Sequence, residues 1–278
     1  MSAPSVRELL AGAVAEIAAA GVDTPQLDAE VLLAHVLDWP RARLLTESDR
    51  AIDGARADVF SRAVARRAAR EPVAYITGTR YFRRIALHVN ADVLIPRPET
   101  ELLVAVGLGL PPGTRVLDVG TGSGAVALAL ADERPDLRVT GSDVSEAALA
   151  VAAANGRRLG LKVDWLHADL LDGVPAVFEA VLSNPPYVAA GDRECLAPEI
   201  VDYEPALALF ADDDGLAVIA ALLDQLALRP RTRVVALEVG AGQAPRVGEL
   251  MRAAGFDSVR SEPDLAGIDR VVVGERRT

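Results

Sequence analysis

The hydrophobic rhythm of the chain changes twice. Over residues 5–70 Leu9, Leu10, Ala13 and Ile17 in one stretch, and Leu27, Val31, Leu32 and His35 in the next, recur at three and four positions. That is the spacing of one buried helical face. Thr24-Pro25 predicts a cap followed by proline in the first turn of a second helix. Further short helices follow, the last from about Ala51 to Arg70. From Glu71 the texture shifts: Pro72 and Gly78 interrupt it, and the run from Tyr81 to Val89 alternates as a strand or hairpin does. Pro96 and Pro98 then punctuate the chain before a helix beginning near Glu99.

Beyond Pro111-Pro112-Gly113 strands and helices alternate. Candidate strands are Arg115–Val119, Arg138–Ser142, Val163–His167, Ala180–Ser183, Val234–Val239 and Arg270–Val273. This order specifies an α/β fold, a mainly parallel sheet covered by helices. The expected division is a helical domain over 1–75, a hairpin connector with a linking helix over 76–110, and the sheet domain over 111–278.

Composition narrows the class. The chain has 278 residues, 51% of them hydrophobic, which is ample for a core. Its net charge of −11 argues against a general nucleic-acid binder, because attraction to phosphate is the largest nonspecific term in such binding. Glu8 and Glu16 interrupt the N-terminal apolar segment, and no uncharged stretch reaches membrane-spanning length, so no membrane association is expected. The single cysteine, Cys195, forms no internal bridge and fits a reducing, cytoplasmic setting.

Chemistry first appears at Val116-Leu117-Asp118-Val119-Gly120-Thr121-Gly122-Ser123-Gly124, a buried strand turning into a helix. Glycines at 120, 122 and 124 let the backbone turn sharply and approach a ligand. Asp143 lies 19 residues after Gly124 at the end of the next strand, where a carboxylate can accept both hydroxyls of a ribose. An adenosine-containing cofactor follows, although Gly120, Gly122 and Ala125 also satisfy a dinucleotide pattern. Asp118 suits either a cationic amino-acid moiety or a buried structural role. Asp169-Leu170, at the end of the third strand, could meet an adenine amino group and ring.

Ser183-Asn184-Pro185-Pro186-Tyr187 follows the fourth strand. Asn184 offers a carbonyl acceptor, and Pro185 has a backbone carbonyl but no N–H, so the segment can present acceptors to a planar NH2 group. Tyr187 adds a stacking face. An amide nitrogen is a poor nucleophile because its lone pair is delocalised. Two acceptors on its hydrogens localise charge on nitrogen and aim it at an electrophilic carbon, so positioning and electrostatics supply the catalysis.

These motifs resemble those of the HemK/PrmC family, which methylates the glutamine amide of the Gly-Gly-Gln motif in peptide chain release factors. The resemblance spans nearly the whole chain. It includes Glu71 to Gly78, Val93-Leu94-Ile95-Pro96-Arg97-Pro98-Glu99-Thr100-Glu101, the glycine loop, Asn184 to Tyr187 and Asp264-Leu265-Ala266-Gly267. It implies a class I S-adenosylmethionine-dependent methyltransferase fold, Rossmann-like with a seven-stranded sheet, carrying a small N-terminal helical substrate-docking domain and a β-hairpin connector. It also implies that Gly120, Thr121, Gly122, Ser123, Gly124, Asp143, Asp169, Leu170 and Asn184 bind S-adenosylmethionine. Asn184, Pro185, Pro186 and Tyr187 would bind the glutamine, with Asn184, Pro185 and Tyr187 catalytic. Leu170 stands where relatives often carry an aromatic residue, and Ala211 to Gly215 is poorer in glycine than the family's version. The competing readings are a DNA adenine-N6 methyltransferase, a nicotinamide-dependent oxidoreductase and a noncatalytic adenosine-binding module.

The expected partner is a release factor, acted on by a monomer. Between Asp192 and Asp214 stand eight acids and one arginine, an acidic flank suited to a basic protein loop. His35, His88 and His167 lack metal-site spacing, so no metal is expected. Trp39 and Trp165 read as packing residues. Arg62, Arg66 and Arg70 share a helix face and read as a solvated stripe. Arg97 and Glu99 could either brace the connector or face substrate.

Overall fold

A computed structural model describes residues 3–212 and 214–277; Asp213, one acid of the expected flank, lies outside the described residues. The chain divides into two units. One runs to Thr79 and recruits Ala197–Tyr203; the other comprises Arg80–Leu196 and resumes at Glu204.

In the first unit, helices α1 (Val6–Ala19), α2 (Pro25–Leu37), α3 (Arg41–Thr46), α4 (Gly54–Ala68) and α5 (Val73–Thr77) enclose Ile17, Leu32, Leu33, Leu44 and Phe60. A reciprocal cap starts α1: Glu8 N donates to Ser5 Oγ at 3.2 Å, and Ser5 N donates to Glu8 Oε2 at 2.8 Å. The expected face of α2 is rotated from the real one. Leu27 and His35 are exposed, whereas Ala29, Leu32, Leu33 and Leu37 are buried together with Asp28. Nor does Thr24 cap through its side chain; its hydroxyl donates to Asp28 Oδ1 at 3.0 Å.

Asp28 is buried because Arg67 reaches it from α4, with Nε 2.6 Å from Oδ2. The same guanidinium bonds Glu199 at 2.9 Å, Arg70 bonds Glu199 at 2.7 Å, and the Tyr203 hydroxyl donates to Ala69 O at 2.6 Å. These bonds hold the short helix Pro198–Tyr203 in the first unit. The arginine stripe is therefore partly consumed internally, with Arg66 paired to Glu71 and Arg70 to Glu199.

The second unit opens with a hairpin, β1 (Thr79–Phe82) and β2 (Ile85–His88), then α6 (Glu101–Leu108) after a single 3-10 turn at Pro98–Thr100. Next come β3 (Arg115–Val119), α7 (Ala125–Glu133), β4 (Arg138–Asp143), α8 (Glu146–Leu159), β5 (Asp164–His167), β6 (Ala180–Ser183) and β7 (Val188–Ala189). After the helix at Pro198–Tyr203, α9 in chain order, follow β8 (Phe210–Ala211), α10 (Ala217–Ala227), β9 (Val234–Glu238), α11 (Ala244–Ala253), β10 (Ser258–Pro263) and β11 (Asp269–Glu275).

Seven strands form one sheet in the order β10-β11-β9-β6-β3-β4-β5, parallel from β9 to β5, with β11 antiparallel to β9 and to β10. This is the class I methyltransferase architecture. Chain order runs outward in one direction from β3 to β5 and in the other from β6, so β3 and β6 flank the switch point where ligands of such sheets bind. Strand β10 was not among the candidates. Ser-Val-Arg-Ser-Glu-Pro is polar and ends in proline, as an edge strand can. Among the described residues no helix is long and apolar enough to cross a membrane.

Candidate active site

Strands β3 and β6 end side by side, Val119 paired with Ser183, and the Ser183 hydroxyl donates to Val119 O at 2.7 Å. The glycine loop and the Asn184 tetrapeptide therefore emerge next to each other. Gly122 N donates to Asp143 Oδ2 at 2.9 Å, while Ser145 N donates to Oδ1 at 2.9 Å, which fixes the carboxylate against the loop. Each of its oxygens retains a second lone pair. Gly124 serves packing: a Cβ there would lie 2.9 Å from Leu128 and 3.0 Å from Trp165, at a φ of +82°. Trp165 is thus a packing residue behind the loop.

The loop borders a cavity of about 290 Å³, of the order expected of a ligand site. Gly120, Thr121, Gly122, Ser123, Asp143, Asp169, Leu170, Asn184, Pro185 and Pro186 all line it; Gly124 and Tyr187 do not. Leu170 holds a φ of +51°, uncommon for a side chain of its size. Asp118 also borders the cavity, yet it is turned into the fold. Thr121 Oγ1 donates to Asp118 Oδ2 at 2.6 Å and Ala127 N donates to the same oxygen at 3.2 Å. Burial pushes this carboxyl up to about 7, against those two hydrogen bonds and with a further push from Asp143.

Behind the tetrapeptide stands a second layer. Asn184 Nδ2 donates to Thr100 Oγ1 at 3.1 Å, which leaves the amide oxygen as the acceptor. The Tyr187 hydroxyl donates to Glu238 Oε1 at 3.3 Å, and Gln243 Nε2 donates to Tyr187 O at 3.0 Å. Gln243 is itself fixed by Gly240 N, which donates to its Oε1 at 2.8 Å. Burial and Glu238 push the Tyr187 phenol up, so it remains a donor. On the other side of the glycine loop, buried Asn155 donates to Ser123 O at 3.0 Å and to His88 O at 2.9 Å. One amide thereby ties the β2 strand to the loop.

Comparison with known proteins gives concordant matches. The PrmC N-terminal domain family matches residues 8–78, and the methyltransferase small domain family matches residues 98–208. A release factor glutamine methyltransferase of Cereibacter sphaeroides is 42% identical over 269 residues, covering 95% of this chain and 96% of the relative. One from Burkholderia pseudomallei is 43% identical over 263 residues, covering 89% and 91%. The chain belongs to the release factor glutamine methyltransferase family. A methyltransferase structure from Pyrococcus furiosus shares the fold with a TM-score of 0.54 at 18% identity, covering 69% of this chain and 89% of that one.

Glu238, Gln243 and Asn155 support the site of this release factor glutamine methyltransferase family member from positions outside the motifs. Glu238-Val239-Gly240 and Gln243 did carry a signal, an acid and a glycine at the end of a strand beside the switch point. Arg97, together with Ile95 N, donates to buried Glu204. The acidic flank is smaller than its residue count, because Glu199 is engaged by Arg67 and Arg70, and Glu204 by Arg97. Among the described residues no cluster of His, Cys, Asp or Glu could hold a metal ion.

Proposed function

We propose that the chain transfers a methyl group from S-adenosylmethionine to the side-chain amide nitrogen of the glutamine in the Gly-Gly-Gln motif of peptide chain release factors. What carries this is the polarity of Asn184. One hydrogen of its NH2 goes to Thr100, and Oδ1 is available as an acceptor at the rim of the glycine-loop cavity.

The residues present fit the cofactor. Space lies open beside Gly122, the Asp143 carboxylate is fixed with lone pairs to spare, and apolar Leu94, Ala168 and Leu170 stand beside the carboxylate of Asp169. In this assignment Gly120 to Ser123 and Asp143 hold the ribose and amino-acid parts, and Asp169 and Leu170 meet the adenine. Gly124 acts by letting α7 pack closely beneath them. S-adenosylmethionine, when bound, supplies a methyl carbon made electrophilic by a sulfonium.

The protein's part is orientation and charge. Asn184 Oδ1 and the Pro185 carbonyl accept the two amide hydrogens, and Pro186 and Tyr187 shape the slot. That polarises the nitrogen toward the incoming methyl and stabilises the positive charge that develops on it. The nitrogen exchanges one N–H for N–CH3, the proton passes to water, and S-adenosylhomocysteine is the coproduct. The protein substrate, the acidic chain and the single exposed thiol of Cys195 fit a cytoplasmic enzyme acting as a monomer without nucleic acid. Incubation with labelled S-adenosylmethionine should label a release factor and leave one with its motif glutamine replaced unlabelled. Equal labelling of both would refute the assignment.

A further inference from the structure

We infer that Gln243 is a positioning residue for the methyl transfer: its side-chain amide fixes the exit of the Asn184 tetrapeptide and so sets where the Pro185 carbonyl stands. The inference rests on the proposed methylation of a glutamine amide, in which that carbonyl accepts one of the substrate hydrogens.

Pro185 and Pro186 have no N–H, so neither is tied down through a backbone donor of its own, and each has φ locked at about −65°. The pair acts as a stiff strut whose place is set by what holds its two ends. At the near end Asn184 Nδ2 donates to Thr100 Oγ1 at 3.1 Å. At the far end the peptide unit joining Tyr187 to Val188 is held on both edges: Gln243 Nε2 donates to Tyr187 O at 3.0 Å, and Val188 N donates to Leu209 O at 3.0 Å. Holding both edges of a planar peptide fixes its orientation. Pro185 lies between the two ends and borders the glycine-loop cavity.

Glycines leave room for the Gln243 amide on two sides. A Cβ at 240 would stand 3.0 Å from Gln243 Oε1 and 3.4 Å from the Tyr187 ring, and one at 215 would stand 2.9 Å from Nε2. Within that space the amide has one way round: Gly240 N donates to Oε1 at 2.8 Å, which turns Nε2 to the Tyr187 carbonyl. The group must accept on one side and donate on the other, which a carboxamide does and an ionised carboxylate of the same shape does not. Gln243 stands at the N-cap of α11, yet its side chain makes no capping bond there, so the amide is not spent on starting the helix.

The test compares wild type, Gln243→Glu and Gln243→Met in the full chain, with a release factor as substrate. The carboxylate keeps the shape and the acceptor for Gly240 N but turns a second acceptor on the Tyr187 carbonyl; the thioether keeps the length and neither bond. At about pH 8 both variants should lose about 10- to 100-fold in kcat, the scale of a displaced group at a reacting centre. The release factor KM, and S-adenosylmethionine affinity by calorimetry, should stay within about threefold of wild type. Protonation gives the introduced carboxyl an O–H that donates to Tyr187 O. The kcat of Gln243→Glu relative to wild type at the same pH should therefore rise at least about fivefold between about pH 8 and about pH 5.5, and that of Gln243→Met should not. The titratable and charged groups on the surrounding elements, Tyr187, Glu238 on β9, Asp212 and Asp214 before Gly215, and Arg246 on α11, are common to all three proteins, so the ratio removes their titration. Wild-type kcat in Gln243→Glu at about pH 8, a ratio that does not rise as pH falls, or an equal rise in Gln243→Met overturns the inference alone. Loss of cofactor affinity in step with kcat also overturns it, by assigning the effect to packing. A wild-type chain that labels no glutamine overturns the underlying function, and this inference with it.

Discussion

Gln243 Nε2 donates to the Tyr187 carbonyl at 3.0 Å, and the two meet in a space that exists because residue 215 is glycine. A Cβ at 215 would stand 2.4 Å from that carbonyl and 2.9 Å from the Gln243 amide, at a φ of +72°. Gly215→Ala should therefore destabilise the protein by ~1–3 kcal/mol and lower kcat more than cofactor affinity. Thermal melts and calorimetry with S-adenosylmethionine check both parts.

Asn155 is completely buried and joins the hairpin to the glycine loop, accepting from His88 N at 2.7 Å and donating to His88 O and Ser123 O. Asn155→Leu keeps the volume and removes the amide's hydrogen bonds to three backbone groups. A loss of ~2–4 kcal/mol in urea unfolding is expected, with weaker S-adenosylmethionine binding because the loop is released.

Asp118 makes stability depend on pH in a stated direction. Its folded pKa of about 7 lies above the ordinary 3.8, so the unfolded chain gives up this proton first as pH rises. Its contribution is fully present below pH 3.8 and is lost as pH rises toward about 7. Asp118→Asn should thus gain stability relative to wild type between pH 5 and 8. Urea melts across that range test it, and a difference independent of pH would count against the buried, raised carboxyl.

What could be read from the chain is what lies consecutively along it. Gly120 to Gly124 and Asn184 to Tyr187 each present their chemistry within five residues, and strand alternation places both at the carboxyl ends of parallel strands. Thr100, Glu238 and Gln243 reach that tetrapeptide from distant positions, so the local patterns they stand in do not show that they meet it. In α2 the alanine-rich helix offers little contrast between faces, and its buried side includes Asp28, which only Arg67 makes tolerable. Periodicity alone therefore selected Leu27 and His35. The excursion of 197–203 into the first unit was equally hidden, because it depends on ion pairs made by Glu199.

Arg67 is 6% exposed and holds Asp28 and Glu199 at once. Arg67→Met should cost ~3–5 kcal/mol, since it leaves a buried carboxylate without its partner. Adding Asp28→Leu should return much of that loss. Fluorescence of Trp39 in a Trp165→Phe background reports unfolding of this unit separately.

The central claim is that Asn184 directs a methyl onto a glutamine amide. Its most direct measurement is mass spectrometry of the release factor peptide containing Gly-Gly-Gln after incubation with S-adenosylmethionine and either wild type or Asn184→Ala. Wild type should add the mass of one methyl substitution on the glutamine side chain, and Asn184→Ala should lose nearly all of it while still binding S-adenosylmethionine. A modification on another residue, or undiminished methylation by Asn184→Ala, would contradict the account.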